Sequence, residues 1–176
     1  IIVEKDLDNM QTKELINLID NIVSLKTETN NIEFKKAKDG VPENLYDTFS
    51  SFSNTSGGII IFGVDEKNNY DICGITNPDI FQKKITEQSL MMEPKIRPII
   101  TICEYDGKII ASAEIPELDV FNKPCYYSGK GKMKGSYIRV GDADLPMTDY
   151  EIYSFDAFKY KTEDELRSKE RIEKDI

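Results

Sequence analysis

The feature that most constrains the fold is the stretch GGIIIFGV, residues 57–64, an apolar run enclosed by glycines. Isoleucine and phenylalanine favour extended backbone, and an apolar run without polar alternation is typical of a strand buried on both faces. We therefore predict a central strand here. The chain has 176 residues, of which 39% are apolar, and this suffices for one domain with a substantial core.

The polar turn NTSGG, residues 54–58, leads into this strand and could be a phosphate-binding loop or a hinge. A phosphate loop lies between a strand and the helix that follows it, so that N–H groups at the helix start meet the anion. Here the order is reversed, because the helical spacing of Leu45, Phe49 and Phe52 comes before the turn. Pro42 is predicted to lie in the first turn of that helix.

The reversed order favours a structural role for the turn. We predict that Gly57 and Gly58 form a left-handed helix cap and a tight strand entry. Asn54 and Thr55 are expected to cap the helix end or to hold the turn.

Other patterns fill in the remaining elements. Helical periodicity predicts helices over 8–25 and 79–91, and alternation predicts a half-buried strand over 31–37. Asp106-Gly107 lies between two alternating or apolar runs and predicts a type I′ hairpin. A second hairpin is predicted to join 124–129 to 135–141 through a lysine-containing loop.

The C-terminal part begins with a capping box of Thr148 and Glu151, which predicts a closing helix. After Tyr160 the sequence is almost wholly charged. We predict one domain over 1–160 and a charged helix or linker over 161–176, in a piece of a longer protein. The fold class is predicted to be α+β, with a mixed, mostly antiparallel sheet and packed helices.

The chain contains no histidine, which removes the usual general base and the histidine-based nucleophile pairs. Carboxylates that hold Mg²⁺ or Mn²⁺ remain open to it, and no cofactor is predicted beyond that option. The three cysteines are widely spaced and form no CxxC pair, which favours reduced thiols and a cytoplasmic location. No apolar run approaches the roughly 20 residues that span a bilayer, so no membrane partner is expected.

The net charge of −9 opposes general affinity for nucleic acids. A local exception runs over 120–141, which holds five basic residues and no acidic one, with tyrosines among them. One interpretation is a lysine-tipped loop on a solvated sheet edge. The other is a nucleic-acid surface, with phosphate contacts from lysine and arginine and stacking from tyrosine. Its candidate residues are Lys123, Lys130, Lys132, Lys134, Tyr137 and Arg139.

Several motifs in order resemble one known family. They are EFK at 33–35, FSSFSNTSGG at 49–58, IIIFGVDE at 59–66, Gly74, and SYIRVGD at 136–142. This set resembles the Schlafen AlbA-like domain, to which a DNA-binding role is assigned, over roughly residues 10–160. In the family's usual pattern, AFAN replaces the serine-containing SFSN found here.

The resemblance implies a domain at the N-terminus of a longer transcriptional regulator or helicase-related protein, followed by ATPase-like and winged-helix segments. It further implies, for ribonuclease-active members, a metal site of two glutamates and an aspartate. The matching residues are Glu28, Glu33 and Asp65. By analogy with the doubled architecture of Schlafen cores, a homodimer is also an expectation.

Three functions stay open at this stage. The first is a nucleic-acid-binding module of a transcriptional regulator, with DNA or RNA as the ligand. The second is a divalent-metal-dependent ribonuclease that uses the three carboxylates. The third is a protein assembly module.

Overall fold

A computed structural model describes residues 2–25 and 31–174, and it describes the side chains of residues 11–24 and 31–174. Five α-helices are present in these ranges: α1 (Ile2–Leu25), α2 (Tyr46–Asn54), α3 (Pro78–Ser89), α4 (Lys132–Gly135) and α5 (Asp149–Lys174). The strands are β1 (Ile32–Lys35), β2 (Gly58–Phe62), β3 (Val64–Asp65), β4 (Asp71–Ile72), β5 (Met92–Glu93), β6 (Ile99–Tyr105), β7 (Lys108–Ile115), β8 (Tyr126–Tyr127), β9 (Tyr137–Val140) and β10 (Ala143–Pro146).

A four-stranded sheet in the order β1-β2-β7-β6 forms the centre of the molecule. Only the β1–β2 pair is parallel, while β2–β7 and β6–β7 are antiparallel. The predicted central strand is confirmed, since β2 lies between two neighbours and Ile60, Ile61 and Phe62 are fully buried. The α+β class with a mostly antiparallel sheet is confirmed as well.

Both faces of this sheet are covered. Leu15, Ile19 and Ile22 of α1 pack on one face, together with Ile61 and Ile110. On the other face the core is built from α2, α3 and the opposite sides of the same strands; its large members include Phe49, Phe52, Phe62, Phe81, Ile85 and Ile96. Neighbouring residues of β2 thus serve two different cores, which is why its sequence does not alternate.

The first predicted hairpin is confirmed. Asp106 and Gly107 have φ values of +49° and +74°, and they join β6 to β7 with Tyr105 opposite Lys108. Both turn residues have positive φ, as a type I′ turn requires. The capping box is also confirmed: Thr148 N donates to Glu151 Oε2 at 2.7 Å, and Glu151 N donates to Thr148 Oγ1 at 3.3 Å.

Two local predictions are wrong. Pro42 lies in the loop before α2, which begins only at Tyr46. The second hairpin does not form as predicted, because β8 pairs with β5. Its contact with the predicted partner segment, 135–141, is limited to one bridge between Tyr126 and Ser136. β9 pairs instead with β10, which sequence alternation had not indicated.

α5 runs through the predicted boundary at residue 160 without interruption, and its residues from 163 to 174 are exposed. This agrees with a solvated helix at the C-terminal end of the domain. None of the described helices is long and apolar enough to cross a membrane.

Candidate nucleic-acid interface

The segment 120–141 is attached to the core by Asn54, the last residue of α2. The buried Asn54 amide nitrogen donates to the carbonyl oxygens of Cys125 and Tyr137, each at 2.9 Å. Its amide oxygen accepts from Cys125 N at 2.6 Å. The sequence predicted that Asn54 caps the helix end or holds the turn, whereas its bonds hold Cys125 and Tyr137, which are distant in the chain, beside α2.

Ser50 of α2 and Thr55, which follows α2, also bind backbone groups of this segment. Ser50 Oγ donates to Cys125 O at 2.7 Å and accepts from Tyr137 N at 2.8 Å. Thr55 Oγ1 accepts from Arg139 N at 2.9 Å. The SSFSNT segment, residues 50–55, therefore supplies side-chain partners to backbone groups of the β8 and β9 regions, and buried backbone groups need such partners.

Gly57 and Gly58 complete this helix end. Gly57 has φ of +70°, and its N–H donates to Phe52 O at 2.8 Å, which is left-handed cap geometry. A Cβ at Gly57 would lie 2.8 Å from Ile115 O, and one at Gly58 would lie 2.7 Å from the Phe52 ring. Close packing, and no phosphate cradle, accounts for both glycines.

Arg139 is the centre of a buried ionic network, with only 4% of its side chain exposed. Its guanidinium donates to Glu33 Oε2 at 2.9 Å and to Asp144 Oδ1 at 2.8 Å, and it lies 5.0 Å from the centre of the Phe52 ring. Burial disfavours the charged form, but the hydrogen bonds to Asp144 and Glu33 outweigh it, so the pKa of Arg139 is raised. The EFK and YIRVGD motifs thus meet in one structural contact.

Lys123 is placed in a similar way. It is buried, and its Nζ lies 2.8 Å from Glu117 Oε1. Burial and paired charge argue against direct phosphate contact by Lys123 or Arg139. The segment 120–141 therefore has an inner part, represented by these two cations, and an outer part around α4.

The outer part carries the remaining candidates, and we call it the α4 surface: Lys130, Lys132, Lys134 and Tyr137. Lys130 Nζ lies 3.3 Å from Asp47 Oδ1 and 5.4 Å from the centre of the Tyr137 ring. Lys132 Nζ lies 3.1 Å from Asp156 Oδ1. Lys134 is exposed, and no described carboxylate lies within ion-pairing distance of it.

A second aromatic contact lies at the base of this surface. Tyr46 and Tyr127 are half-buried and stack with ring centres 3.8 Å apart and planes 6° from parallel. Tyr127 also contacts the turn: a Cβ at Gly129 would lie 2.4 Å from its ring. These contacts fix the course of the chain that carries Lys130.

The predicted carboxylate site is only partly described. Glu28 lies outside the described residues. Glu33 Oε1 pairs with Lys35 at 2.9 Å, in addition to the bond from Arg139 to Oε2, and Asp65 Oδ2 pairs with Lys36 at 3.1 Å. Among the residues whose side chains the structure describes, no group of three or more cysteine, aspartate or glutamate residues has the geometry to hold a metal ion. Glu33 and Asp65 therefore do not by themselves fit a divalent cation, because each of these two carboxylates already faces a cationic side chain.

Sequence reasoning missed Asp144, which accepts from Arg139 and also from Thr48 Oγ1 at 2.8 Å. Ser51 Oγ also donates to the Asp144 carboxylate. One signal was available, since Asp144 follows YIRVG as a second acidic residue beside Asp142. The sequence does not tell these two aspartates apart, because two partners of Asp144, Thr48 and Ser51, lie far away in α2.

Comparisons with known proteins agree with this fold and these motifs. A family model described as Schlafen, AlbA_2 matches residues 28–148. A solution NMR structure of the N-terminal domain of an ATP-dependent DNA helicase RecG-related protein from Nitrosomonas europaea is similar, with a TM-score of 0.57 and 29% identity. That match covers 76% of this chain and 92% of the domain.

A crystal structure of the DIP2311 protein from Corynebacterium diphtheriae shares the fold, with a TM-score of 0.56 and 18% identity. The match covers 85% of this chain and 34% of that one. No match is found among curated proteins.

Proposed function

The chain belongs to the Schlafen, AlbA_2 family, and we propose that it is a nucleic-acid-binding module, with DNA as its ligand, in a transcriptional regulator. The similarity to the N-terminal domain of a DNA helicase RecG-related protein supports binding to nucleic acid. The proposal includes a cytoplasmic location and further ATPase-like and winged-helix segments in the full protein.

The observation that carries the proposal is the α4 surface. Its three lysines and Tyr137 come from a stretch with no acidic residue, and the fold holds that stretch in place through Asn54, Ser50 and Thr55. A locally cationic surface with aromatic side chains can contact phosphates and bases even when the whole chain is acidic.

The existing ion pairs of this surface do not oppose binding. Exposed pairs such as Lys130 with Asp47 contribute only about 0–1 kcal/mol, so a phosphate can replace the carboxylate at little cost. Lys134 can contact a phosphate without giving up a pair with any described carboxylate. The proposed contacts are therefore phosphate binding by Lys130, Lys132 and Lys134, with Tyr137 beside Lys130.

The experiment is a binding titration with the triple variant Lys130→Glu, Lys132→Glu and Lys134→Glu. Labelled duplex DNA, single-stranded DNA and structured RNA are titrated with each protein at several salt concentrations. We expect the wild type to bind with a negative salt slope, and the triple variant to lose binding to every ligand that the wild type binds.

The matched control reverses three exposed lysines of α5, at Lys161, Lys169 and Lys174, which changes the net charge by the same amount. This control should keep most of the wild-type affinity. Equal losses of affinity in both triple variants would mean that binding depends only on the net charge of the protein, and they would overturn the proposed site. Unchanged affinity in the α4 variant would overturn it as well.

A further inference from the structure

The two edges of the central sheet differ in how they are protected. β1 forms one edge with four residues, two of which, Glu33 and Lys35, are charged and ion-paired. β6 forms the other edge with seven residues, IITICEY, that include no lysine, arginine or proline. Exposed edges normally carry such residues, because an open row of N–H and C=O groups pairs readily with another strand.

The pairing register shows which groups of β6 face outward. Tyr105 pairs with Lys108 across a two-residue turn, so Ile99, Thr101, Cys103 and Tyr105 exchange hydrogen bonds with β7. The N–H and C=O groups of Ile100, Ile102 and Glu104 therefore point away from the sheet. Within the described part of the chain, no strand pairs with this outer side and no hydrogen bond reaches these six groups.

The side chains of the same strand are incompletely buried. Ile100 and Ile102 are only partly buried at the border of the core that contains Phe49, and Ile99 is 47% exposed on the other face. Ile99, Ile100 and Ile102 thus leave apolar surface beside the open edge of β6. A strand added beside β6 would cover it.

We propose that β6 is the interface for a second copy of this chain, which pairs β6 with β6 antiparallel and joins two sheets into one of eight strands. The charges select this occupant and this direction. Lys95 and Arg97 precede the strand, whereas Glu104 and Asp106 lie at its end. In an antiparallel pair, the cationic start of one copy lies beside the acidic end of the other, and a parallel pair would place like charges together.

The two-fold symmetry of this pair also places compatible residues opposite each other. With Ile102 on the two-fold axis, Ile102 lies opposite itself and Ile100 lies opposite Glu104 of the second copy. All three residues have outward backbone groups, so each forms ladder hydrogen bonds across the axis. This interface does not depend on the proposed nucleic-acid binding.

The experiment compares the whole chain with two variants of Glu104 by analytical ultracentrifugation over a wide range of protein concentration. Glu104→Pro removes an outward N–H from each copy and leaves the β6–β7 bonds intact, since proline is tolerated on the open side of an edge strand. Glu104→Ala is the matched control that keeps the N–H. We expect a wild-type dimer, a dimer in the alanine variant, and dimerisation weakened by at least about thirty-fold in the proline variant.

A second variant covers the case in which proline disturbs the fold. Arg97→Glu changes an exposed residue before the strand and should weaken the dimer at low salt, with partial recovery at high salt as the new repulsion is screened. A wild-type chain that stays monomeric would overturn the proposal. So would a dimer that a folded Glu104→Pro variant retains at wild-type strength.

Discussion

The inner and outer parts of segment 120–141 contain the same kinds of cation in opposite roles. Arg139 and Lys123 are both buried: Arg139 pairs with carboxylates of β1 and β10, and Lys123 pairs with Glu117 of the preceding loop. Lys130, Lys132 and Lys134 lie around α4, where pairing is loose or absent. A basic stretch in a sequence can thus contain both buried structural cations and exposed cations, and only the exposed ones are available to a ligand.

Arg139→Ala should destabilise the fold most, because it leaves Glu33 and Asp144 without their shared cation. We expect the free energy of unfolding to fall by about 3–5 kcal/mol, because breaking a buried ion pair leaves uncompensated charge. Denaturant titration measures it. Arg139→Lys keeps the charge but cannot bridge both carboxylates, so its loss should be smaller. A loss in the alanine variant no greater than that of a typical surface change would erase the distinction between the two parts.

The next effect tests how the segment is attached. Asn54→Ala removes the side-chain partner of the N–H of Cys125 and of the C=O of Tyr137, and it leaves Cys125 O with its bond from Ser50 alone. We expect the free energy of unfolding to fall by about 3 kcal/mol, since buried unsatisfied groups are costly. The matched control is Asn44→Ala, which makes the same chemical change at an exposed residue that bonds only Tyr46 N at 3.1 Å. Similar losses at both positions would contradict a special role for Asn54.

A smaller effect separates the lysines directly. Lys123→Ala removes a buried side chain and its pair with Glu117, and should lower the free energy of unfolding by about 1 kcal/mol with little effect on nucleic-acid affinity. Lys134→Ala should do the reverse, with unchanged thermal unfolding and a salt slope of binding reduced by about 1. Denaturant titration and nucleic-acid binding titration of both variants measure the two effects. If Lys123→Ala weakened binding more than Lys134→Ala, the assignment of inner and outer cations would be wrong.

The smallest effect concerns the thiols. Burial raises the pKa of Cys125 to about 12, whereas Cys73 is only half-buried. The folded pKa of Cys125 exceeds its ordinary value of 9.0, so its contribution to stability is complete below that value and is lost as pH rises towards 12. We expect alkylation, followed by mass spectrometry, to modify Cys73 before Cys125. In Asn54→Ala the modification of Cys125 should accelerate, and an unchanged rate would show that Asn54 does not hold this part of the segment closed.

Local patterns predicted much of the fold. The unbroken run of β2, the Asp106-Gly107 turn and the Thr148–Glu151 capping box each contain their own physical cause within a few residues. The motifs also identified the family, which the family model confirms. The second hairpin failed because Tyr126 and Tyr127 prefer a partner in β5, which no pattern near them reveals.

The candidate site was less predictable for the same reason. Whether a lysine or arginine of segment 120–141 is available depends on which carboxylates the fold places beside it, and some of these are far away in the chain. Arg139 is neutralised by Glu33, which is 106 positions away in the chain. A sequence motif records that such residues occur together, but the buried contact between them becomes visible only in the folded chain.

The side-chain bonds of α2 also bear on the order of folding. The amide N–H groups of Cys125, Tyr137 and Arg139 are held by Asn54, Ser50 and Thr55, across loops of 71, 87 and 84 residues. Contacts that close such long loops form late, after the local helices and hairpins. We expect these three amides to gain protection last in pulse-labelled hydrogen exchange during refolding. The α4 surface would then be absent from every earlier intermediate, so only the completed domain could present it to a ligand.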